Sequence, residues 1–369
     1  MNLEEAKLKV QVTLEERDSV EKYLQSSHSI MNALIGFSVT KYIESANQGW
    51  NLPGIHKDKS KEIVGEEILE AIENAANVYS VMVKTMHENS APRRLMRGTS
   101  NDEARRLHQG GRYDRIVSAS TNEITAKSFG RNGNAAFLRI IAQEDVPFID
   151  VENFIGKENL SRDESEYILA PFTEVKSSIF RSDWNGFKYY DVVLGKPEMR
   201  EFKEGEKTAL QSEIKSKFAD MLEKGKEVIS LQCRYECLLE KKGGDAEDRA
   251  YIAKDKQETL DKIYELKKEL EAFEVSVGKY IEGIFVEREK EFKIAYDINK
   301  AEELRIMEEQ KKIKQKENIR EQQKAFREMK TKFHGIMDRA PTTFTEQYHA
   351  LKDEEIKYYN MAKILRNSI

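Results

Sequence analysis

The change in sequence pattern near residue 200 limits the fold of this chain more than any other feature. Before it, stretches with helical spacing are followed by short apolar and β-branched segments that alternate with Gly, Asn and Asp clusters. After it come long Lys- and Glu-rich segments whose apolar residues recur every three or four positions. We therefore expect two structural units, residues 1–200 and 201–369, which the length of 369 residues also favours.

The first of these units is predicted to be an α+β domain. Amphipathic patterns over 19–37 and 60–86 predict a helical lobe covering about residues 1–90. A β core over about 91–200 follows, with an antiparallel or mixed sheet. Its expected strands are 95–96, 115–117, 136–141, 147–151, 166–169, 174–179 and 189–193.

The second unit, 201–369, is predicted to be all-α. Two apolar stripes on either side of a glycine-containing turn at 242–245 predict an antiparallel helical hairpin. A longer charged helix follows and ends near Pro341, and a short helix over 345–365 completes the chain. The charged helix is typical of a solvated coiled-coil arm, because acidic residues are interspersed throughout it; a nucleic-acid or membrane-surface patch is the alternative.

Charge and composition exclude several classes of function. A formal net charge of -5 gives no global reason to expect nucleic-acid binding. No apolar run is long enough to cross a bilayer and the N-terminus lacks the pattern of a secretory signal, so we expect a cytoplasmic protein or one exported without a cleaved signal. The only cysteines, Cys233 and Cys237, are interpreted as structural thiols on one helix face, and no metal-binding motif is present.

Three segments of the predicted β core carry the residues that bear on chemistry. They are Arg97-Gly98-Thr99, the strand with Ser118 and Ser120, and the start of a strand at Glu164-Ser165-Glu166. Taken singly, each has an ordinary structural explanation. Arg97 fits a surface ion pair, and two carboxylates at i and i+2 fit a solvated strand face.

In this order, the three segments resemble the arginine-serine-glutamate (R-S-E) class of mono-ADP-ribosyltransferases, with its Glu-x-Glu motif. The resemblance covers roughly residues 19–195, including paired helices before the arginine strand. Ala119 stands where the family has Thr, and Met96 where an aromatic precedes the arginine, whereas Ser118 and Ser120 keep both hydroxyls. The implied fold is a split antiparallel β core behind N-terminal helices, and the implied substrate is NAD, with no metal.

The resemblance also assigns roles on the donor side. Cleavage of the bond between nicotinamide and ribose leaves a cation-like ribose, so the site must anchor the diphosphate and place a carboxylate beside that cation. Arg97 is implied to anchor phosphate and ribose, and Ser118 to hydrogen-bond the ribose or the catalytic glutamate. Glu166 is implied to accept the ribose 2′-hydroxyl and to stabilise the transition state.

Further contacts to NAD are implied along the same segments. Gly98, Thr99 and Ser120 lie beside the principal residues and belong to the expected NAD-binding set. Phe129 matches an aromatic that stacks on nicotinamide, and Arg131, in the loop 130–134, matches a phosphate contact. A core phenylalanine beside an ordinary exposed loop explains these two residues equally well.

On the acceptor side the resemblance points to Glu164 and Phe154. A carboxylate at Glu164 suits a guanidinium, which favours an arginine of a target protein, or plain hydrolysis of NAD, over an amide acceptor. Phe154 is either a contact to the target or an inward-facing anchor. Alternatives are a non-catalytic coiled-coil interaction protein with a degenerate transferase fold, and a transferase acting on nucleic acid or a small molecule.

The architecture is similar to that of bacterial toxins and translocated effectors, with a phage-defence toxin as another option. The helices after residue 200 carry no catalytic cluster. We interpret them as a surface that binds the target or a regulatory protein.

Overall fold

The computed structural model describes residues 1–48, 52–55, 60–88, 94–129, 135–156, 165–182, 188–241, 244–337 and 344–367. The helices are α1 (Leu3–Val10), α2 (Leu14–Lys22), a π-helical segment (Tyr23–Ser27), α3 (His28–Ile35), α4 (Val39–Asn47), α5 (Lys61–Glu88), α6 (Asn101–His108), α7 (Glu123–Phe129), α8 (Val151–Ile155), α9 (Glu206–Glu240), α10 (Ala246–Met337) and α11 (Phe344–Asn367). The strands are β1 (Leu95–Ser100), β2 (Arg112–Tyr113), β3 (Val117–Ser120), β4 (Ala135–Ala142), β5 (Phe148–Asp150), β6 (Glu166–Leu169), β7 (Thr173–Ser182) and β8 (Lys188–Pro197).

The predicted helix over 19–37 is divided by the π-helical segment Tyr23–Ser27. Helix α2 starts with a capping box, in which Thr13 and Glu16 exchange side-chain-to-backbone hydrogen bonds. The backbone then widens into a π turn before α3 resumes the α-helical pattern. Such single turns occur frequently at functional sites, and they change the direction in which the following side chains point.

The strands form one eight-stranded sheet within the described residues, in the order β2-β7-β8-β4-β1-β3-β6-β5. Strand β1 pairs with β4 along its full length, from Leu95 to Ser100. On its other side it meets β3 only at Met96 and Ser120. The sheet therefore has a weak junction between β1 and β3, and a cleft can open there.

The sheet is mixed, one of the two arrangements expected from the strand pattern, and it differs from the antiparallel core implied by the resemblance at one strand pair. Strands β4 and β8 run parallel, in register from Ala136 with Lys188 to Ala142 with Leu194. The other strand pairs are antiparallel. Parallel neighbours need a long connection, and here three other strands, β5 to β7, lie between the two in sequence.

Helices on both sides of residue 200 share one hydrophobic core. Phe218 of α9 lies against Phe37, with ring centroids 5.3 Å apart, and Phe285 of α10 stacks on Tyr79 of α5 at 4.7 Å. The same cluster includes Ile168 of β6. The compact units of the chain are Met1–Tyr296 and Asp297–Ile369, and the domains 1–200 and 201–369 stay a prediction from composition.

Helix α9 and the first part of α10 run antiparallel, as expected for the helical hairpin. Arg234 pairs with Asp255 at 2.7 Å near the turn, and Lys224 pairs with Glu269 farther from it. Of the predicted turn at 242–245, residues 242 and 243 lie outside the described residues.

The unit Asp297–Ile369 contains the rest of α10 and helix α11. Phe326 and Tyr358 contact each other with ring centroids 4.8 Å apart. Ile313, one of the few apolar residues of the charged part of α10, is exposed. Pro341 lies outside the described residues, and α10 ends at Met337. None of the helices in the described ranges has the length and apolar character that a membrane span needs.

Candidate active site

A cavity of about 400 Å³ opens at the junction between β1 and β3. Its floor comes from Met96 to Gly98 of β1, Ser118 to Ser120 of β3 and Glu166 of β6. Tyr23 and Leu24 of the π-helical segment, His28 of α3, and Thr125 and Ala126 of α7 complete its lining. The volume is in the range of cavities that hold small organic ligands.

Three of the predicted catalytic residues meet in this cavity. Arg97, Ser118 and Glu166 all line it, although 48 residues separate Ser118 from Glu166 in the chain. The strand register explains the meeting: Ser120 pairs directly with Glu166, and Ser118 lies two residues before Ser120 on the same strand face. Glu166 is the first residue of β6, so its carboxylate lies at the open end of the strand.

A strained residue positions Glu166. Ser165, which precedes it, has a φ of 44°, in the left-handed region that non-glycine residues rarely adopt. Its carbonyl accepts a hydrogen bond from the Thr121 backbone N–H at 3.3 Å, which ties the turn to the end of β3. Strain of this kind persists where the surrounding structure fixes the backbone, and it is common at functional sites.

Arg97 is held from two directions. Its Nη1 donates to the Ser118 carbonyl at 2.8 Å, and its Nε lies 3.7 Å from Oε1 of Glu103 in the first turn of α6. Burial acts to lower the pKa of Arg97, but nearby Tyr113 and Glu103 hold that pKa above its ordinary value. The buried Nε has no hydrogen-bond acceptor within the described residues, and the side chain is 23% exposed. Arg97 is thus a charged group that lines the cavity and is held in place by Ser118 and Glu103.

Glu103 is the carboxylate that fixes Arg97. Burial acts to raise the pKa of Glu103, but the charge of Arg97, a hydrogen bond from Tyr113 and the charge of Arg115 lower it below the ordinary value. The Tyr113 hydroxyl donates to the Glu103 carboxylate, and Arg115 approaches that carboxylate at 3.8 Å. Glu103 is therefore ionised at neutral pH and holds the guanidinium in place.

Tyr23 forms the opposite wall of the cavity. It is 2% exposed, and burial raises its pKa to about 12; hydrogen bonds with the side chains of Ser118 and Asn32 act in the other direction. Asn32 in turn accepts a hydrogen bond from the Ile116 backbone N–H at 2.8 Å. A neutral hydroxyl is thus held beside Ser118, within the electrostatic reach of Glu166 and Arg97.

The remaining predicted site residues are placed as follows. Gly98 and Ser120 line the cavity. Thr99 does not; it is 9% exposed and pairs with Ala136 of β4. Phe154 lies on α8 and packs against the large hydrophobic cluster, with the Arg17 guanidinium 5.7 Å from its ring centre.

Three expected contacts cannot be placed in the cavity. Glu164 and Arg131 lie outside the described residues, and of Phe129 only the backbone, at the end of α7, is described. Their roles stay predictions from the sequence. The described residues hold no group of three or more His, Cys, Asp or Glu side chains arranged for a metal ion.

Two residues of the site, Tyr23 and Glu103, were not among those predicted from the sequence. Tyr23 carries no local signal, because it reads as one of several apolar positions in a helical stretch. For Glu103 the sequence suggests a different role, because Ser100-x-x-Glu103 is the pattern of a helix capping box. Ser100 does cap α6 by accepting the Glu103 backbone N–H at 3.2 Å, and the Glu103 carboxylate is engaged by Tyr113 and Arg97.

No protein-family model and no curated protein matches the chain. Among solved structures, the chain is similar to BECa, an ADP-ribosylating toxin of a binary enterotoxin of C. perfringens determined with NADH. The identity is 12%, with 52% of this chain and 46% of that chain covered and a TM-score of 0.31. This chain thus spans about half the length of that toxin.

Two further structures are similar to parts of this chain. Exoenzyme S from Pseudomonas aeruginosa, determined with human 14-3-3 protein beta and Carba-NAD, is 18% identical over 56% of this chain and 89% of that chain, with a TM-score of 0.27. The ADP-ribosyltransferase HopU1 of Pseudomonas syringae pv. tomato is 16% identical over 38% and 61%, with a TM-score of 0.26. At such scores the likenesses carry no argument about function, which rests on the residues of the site.

Proposed function

We propose that this chain is a mono-ADP-ribosyltransferase with NAD as its substrate. The observation that carries the proposal is the meeting of Arg97, Ser118 and Glu166 in one cavity of about 400 Å³. These side chains supply a fixed cation, a hydroxyl and a carboxylate, which are the groups that cleavage of a charged dinucleotide needs. The order in which they occur in the sequence supports the same reaction.

On the donor side, Arg97 binds the diphosphate, because a guanidinium offers planar paired donors to phosphate oxygens. Glu166 accepts a hydrogen bond from the ribose 2′-hydroxyl and stabilises the positive charge that develops on the ribose. The bond between ribose carbon and nicotinamide nitrogen breaks, its electron pair stays on nitrogen, and neutral nicotinamide leaves. Ser118 and Tyr23 keep the ribose and Glu166 in the productive orientation.

On the acceptor side, an arginine of a target protein is the favoured nucleophile. Glu164 binds the incoming guanidinium and takes up the proton that the attacking nitrogen loses as the new carbon–nitrogen bond forms. This step rests on the sequence pattern Glu164-x-Glu166. Water in place of the guanidinium gives NAD hydrolysis as a side activity.

We further propose that the protein acts as a bacterial toxin or effector, in the cytoplasm or after transfer into a host cell. The proposal rests on the resemblance in the first half of the chain together with the long helices of the second. Those helices would bind the target or a regulatory protein.

The decisive test measures release of nicotinamide from labelled NAD by the purified full-length chain. Glu166→Gln removes the charge and keeps the shape, so release should fall by a factor of about 100 or more. Glu174→Gln, a partly buried glutamate on β7 that pairs with Lys176, is the matched control and should retain release. Equal inactivity of wild type and Glu166→Gln, with and without cell lysate, would contradict the proposal and favour a non-catalytic interaction protein.

The acceptor is tested on the labelled product. Mass spectrometry of the modified target identifies the acceptor residue, and separate digestion with protease and nuclease distinguishes protein from nucleic acid. Label on arginine supports the role of Glu164. Label on an amide, a nucleotide or a small molecule would overturn the arginine assignment and leave the donor side intact.

A further inference from the structure

A second cavity, of about 370 Å³, adjoins the first, and Met96 lines both. The strand register connects them. Met96 pairs with Ser120 on one side and with Arg139 on the other, and Ser120 pairs with Glu166. Register partners on neighbouring strands carry their side chains on the same face of a sheet. One row of side chains therefore leads from Glu166 to Arg139, over three strand spacings or about 14 Å.

The second cavity contains a pair of arginines around one carboxylate. Arg139 and Arg181 each direct their Nε to Asp191, to Oδ1 and Oδ2 respectively, both at 2.6 Å. Their side chains are about half exposed, at 45% and 57%. Two guanidiniums on one carboxylate leave one positive charge, and each guanidinium carries four further N–H donors on its Nη atoms. Nearby, Lys127 and Glu123 pair with each other at 2.6 Å and add no net charge.

Apolar side chains lie on the same face as the arginines. Ile141 is two residues from Arg139 on β4 and 43% exposed, and Ile179, the register partner of Asp191, is 54% exposed. We call Arg139, Ile141, Ile179 and Arg181 the outer face. A phosphate or other small anion would pair with the arginines and leave both isoleucines exposed to water. An extended peptide with a carboxylate two residues from an apolar side chain presents both on one side and would use all four.

We propose that the outer face binds the acceptor protein, through an extended segment that carries a carboxylate two residues from an apolar side chain. This inference rests on the proposed function, because it supplies the docking site for the substrate that Glu166 and Glu164 modify. Because its formal net charge is -5, the molecule as a whole repels an acidic segment. Such a segment therefore binds only where positive charge is concentrated locally. The two guanidiniums supply this charge and offer paired donors to a carboxylate. A surplus of one positive charge is too small to hold a nucleic-acid backbone against that net charge.

The test measures binding directly and needs no catalysis. The full-length chain carrying Glu166→Gln is titrated into a fluorescein-labelled decapeptide in which Glu and Leu alternate at every second position, with Ser between them, so that both types of side chain share one face. Fluorescence anisotropy is recorded without NAD. Two comparison peptides replace every Glu with Lys, or every Leu with Ser. Saturable binding of the Glu/Leu peptide at least tenfold tighter than of either comparison is the expected result.

Variants then locate the binding. Arg139→Ala combined with Arg181→Ala should weaken binding of the Glu/Leu peptide by at least tenfold. Ile179→Ser, which leaves the three charges of the arginine cluster in place, should weaken it to the level of the Glu/Ser peptide. The matched control is Arg234→Ala, because Arg234 is 58% exposed and pairs with Asp255 on the remote hairpin. Its binding should equal that of the parent.

Two results would overturn the inference: equal binding of the Glu/Leu and Lys/Leu peptides, or an affinity of the double arginine variant equal to that of Arg234→Ala. Failure of the proposed function looks different. In that case the wild-type chain releases no nicotinamide from NAD while the peptide still binds to the outer face.

Discussion

Arg97 shows how one side chain that lines the cavity depends on the neighbours that hold its guanidinium. The Ser118 carbonyl and the Glu103 carboxylate hold its guanidinium, and the Tyr113 hydroxyl holds Glu103. Each partner fixes a torsion that a free arginine would sample, so the cost of ordering this side chain is met by folding and not by substrate binding. Glu103 and Tyr113 are positioning residues for Arg97.

Replacement of Glu103 by Gln should therefore raise the KM for NAD more than it lowers kcat. Arg97 keeps its charge and its bond to the Ser118 carbonyl but loses the paired carboxylate, an effect of about tenfold or ~1.4 kcal/mol. Initial rates of nicotinamide release over a range of NAD concentrations give both constants. Glu213→Gln on α9, where Glu213 pairs with Lys217 at 3.0 Å, is the control. A loss confined to kcat would contradict this role.

Tyr23 predicts how stability depends on alkaline pH. Burial raises the pKa of Tyr23 to about 12, above the value near 10 in the unfolded chain. The neutral phenol therefore stabilises the fold fully below pH 10, and this contribution is lost as the pH rises from 10 through 12. At pH 11 the stability lost amounts to on the order of 1 kcal/mol.

Denaturant unfolding at pH 8 and pH 11 measures this effect. Between these pH values the wild type should lose about 1 kcal/mol more than Tyr23→Phe, which cannot ionise. Absorbance of phenolate near 295 nm reports which tyrosines ionise before unfolding. If Tyr23→Phe and wild type lose the same free energy, the phenol of Tyr23 is already accessible in the folded chain.

At the scale of elements, a close contact between two helices fixes the packing of the helical core. Helices α5 and α9 approach each other at Gly65, where an added Cβ would lie 2.3 Å from the Lys215 carbonyl oxygen and 2.6 Å from its Cα. Backbone atoms cannot move aside as a flexible side chain can. Because α5 also carries Tyr79 against Phe285, a shift between α5 and α9 would reach the whole helical core.

Gly65→Ala should destabilise the chain by about 1–3 kcal/mol, because the methyl group has no space between the helices. Gly278→Ala on α10 is a matched substitution, since an added Cβ there meets nothing within 4 Å. It should stabilise by about 0.5–1 kcal/mol through the higher helix propensity of alanine. Chemical denaturation of both variants gives the comparison. Equal effects would mean that α5 and α9 do not touch at Gly65.

At the scale of the molecule, the core joins the part of the chain that carries the candidate active site to helices that lie far away in sequence. Phe218 and Phe285, both beyond residue 200, lie in the same hydrophobic cluster as Ile168 of β6, two residues from Glu166. The composition change near residue 200 thus marks a change in secondary structure. The hydrophobic core of the helical lobe includes residues beyond this change, all within the compact unit Met1–Tyr296.

Whether a truncated chain folds should depend on whether it keeps this core. A chain ending at Lys207 lacks Phe218 and Phe285 and should expose apolar surface, with binding of a hydrophobic dye and loss of a cooperative thermal transition. A chain ending at Tyr296 keeps both and should unfold cooperatively and release nicotinamide from NAD. Cooperative unfolding and activity of the Lys207 truncation would show that residues 1–200 fold alone, as the composition predicts.

The sequence predicted well what depends on periodicity. Strand β4, helix α5 and the helical hairpin follow from the spacing of apolar residues. Arg97, Ser118 and Glu166 were singled out by the order of their segments and line one cavity, while their roles stay predictions. The parallel pairing of β4 with β8 could not be predicted, because it depends on contacts between distant strands. The roles of Tyr23 and Glu103 could not be predicted from the sequence for the same reason, because each residue acts through a partner from another element.

The π-helical segment Tyr23–Ser27 also affects how this chain can be compared with relatives. A π turn holds one residue more than the α turn that it replaces, so a regular α-helix over this segment would be one residue shorter. A relative with a regular α turn here would present a different side chain at the position of Tyr23. An alignment through this helix should therefore place a one-residue gap between Tyr23 and His28, and a tyrosine matched without that gap would be matched to the wrong wall of the cavity.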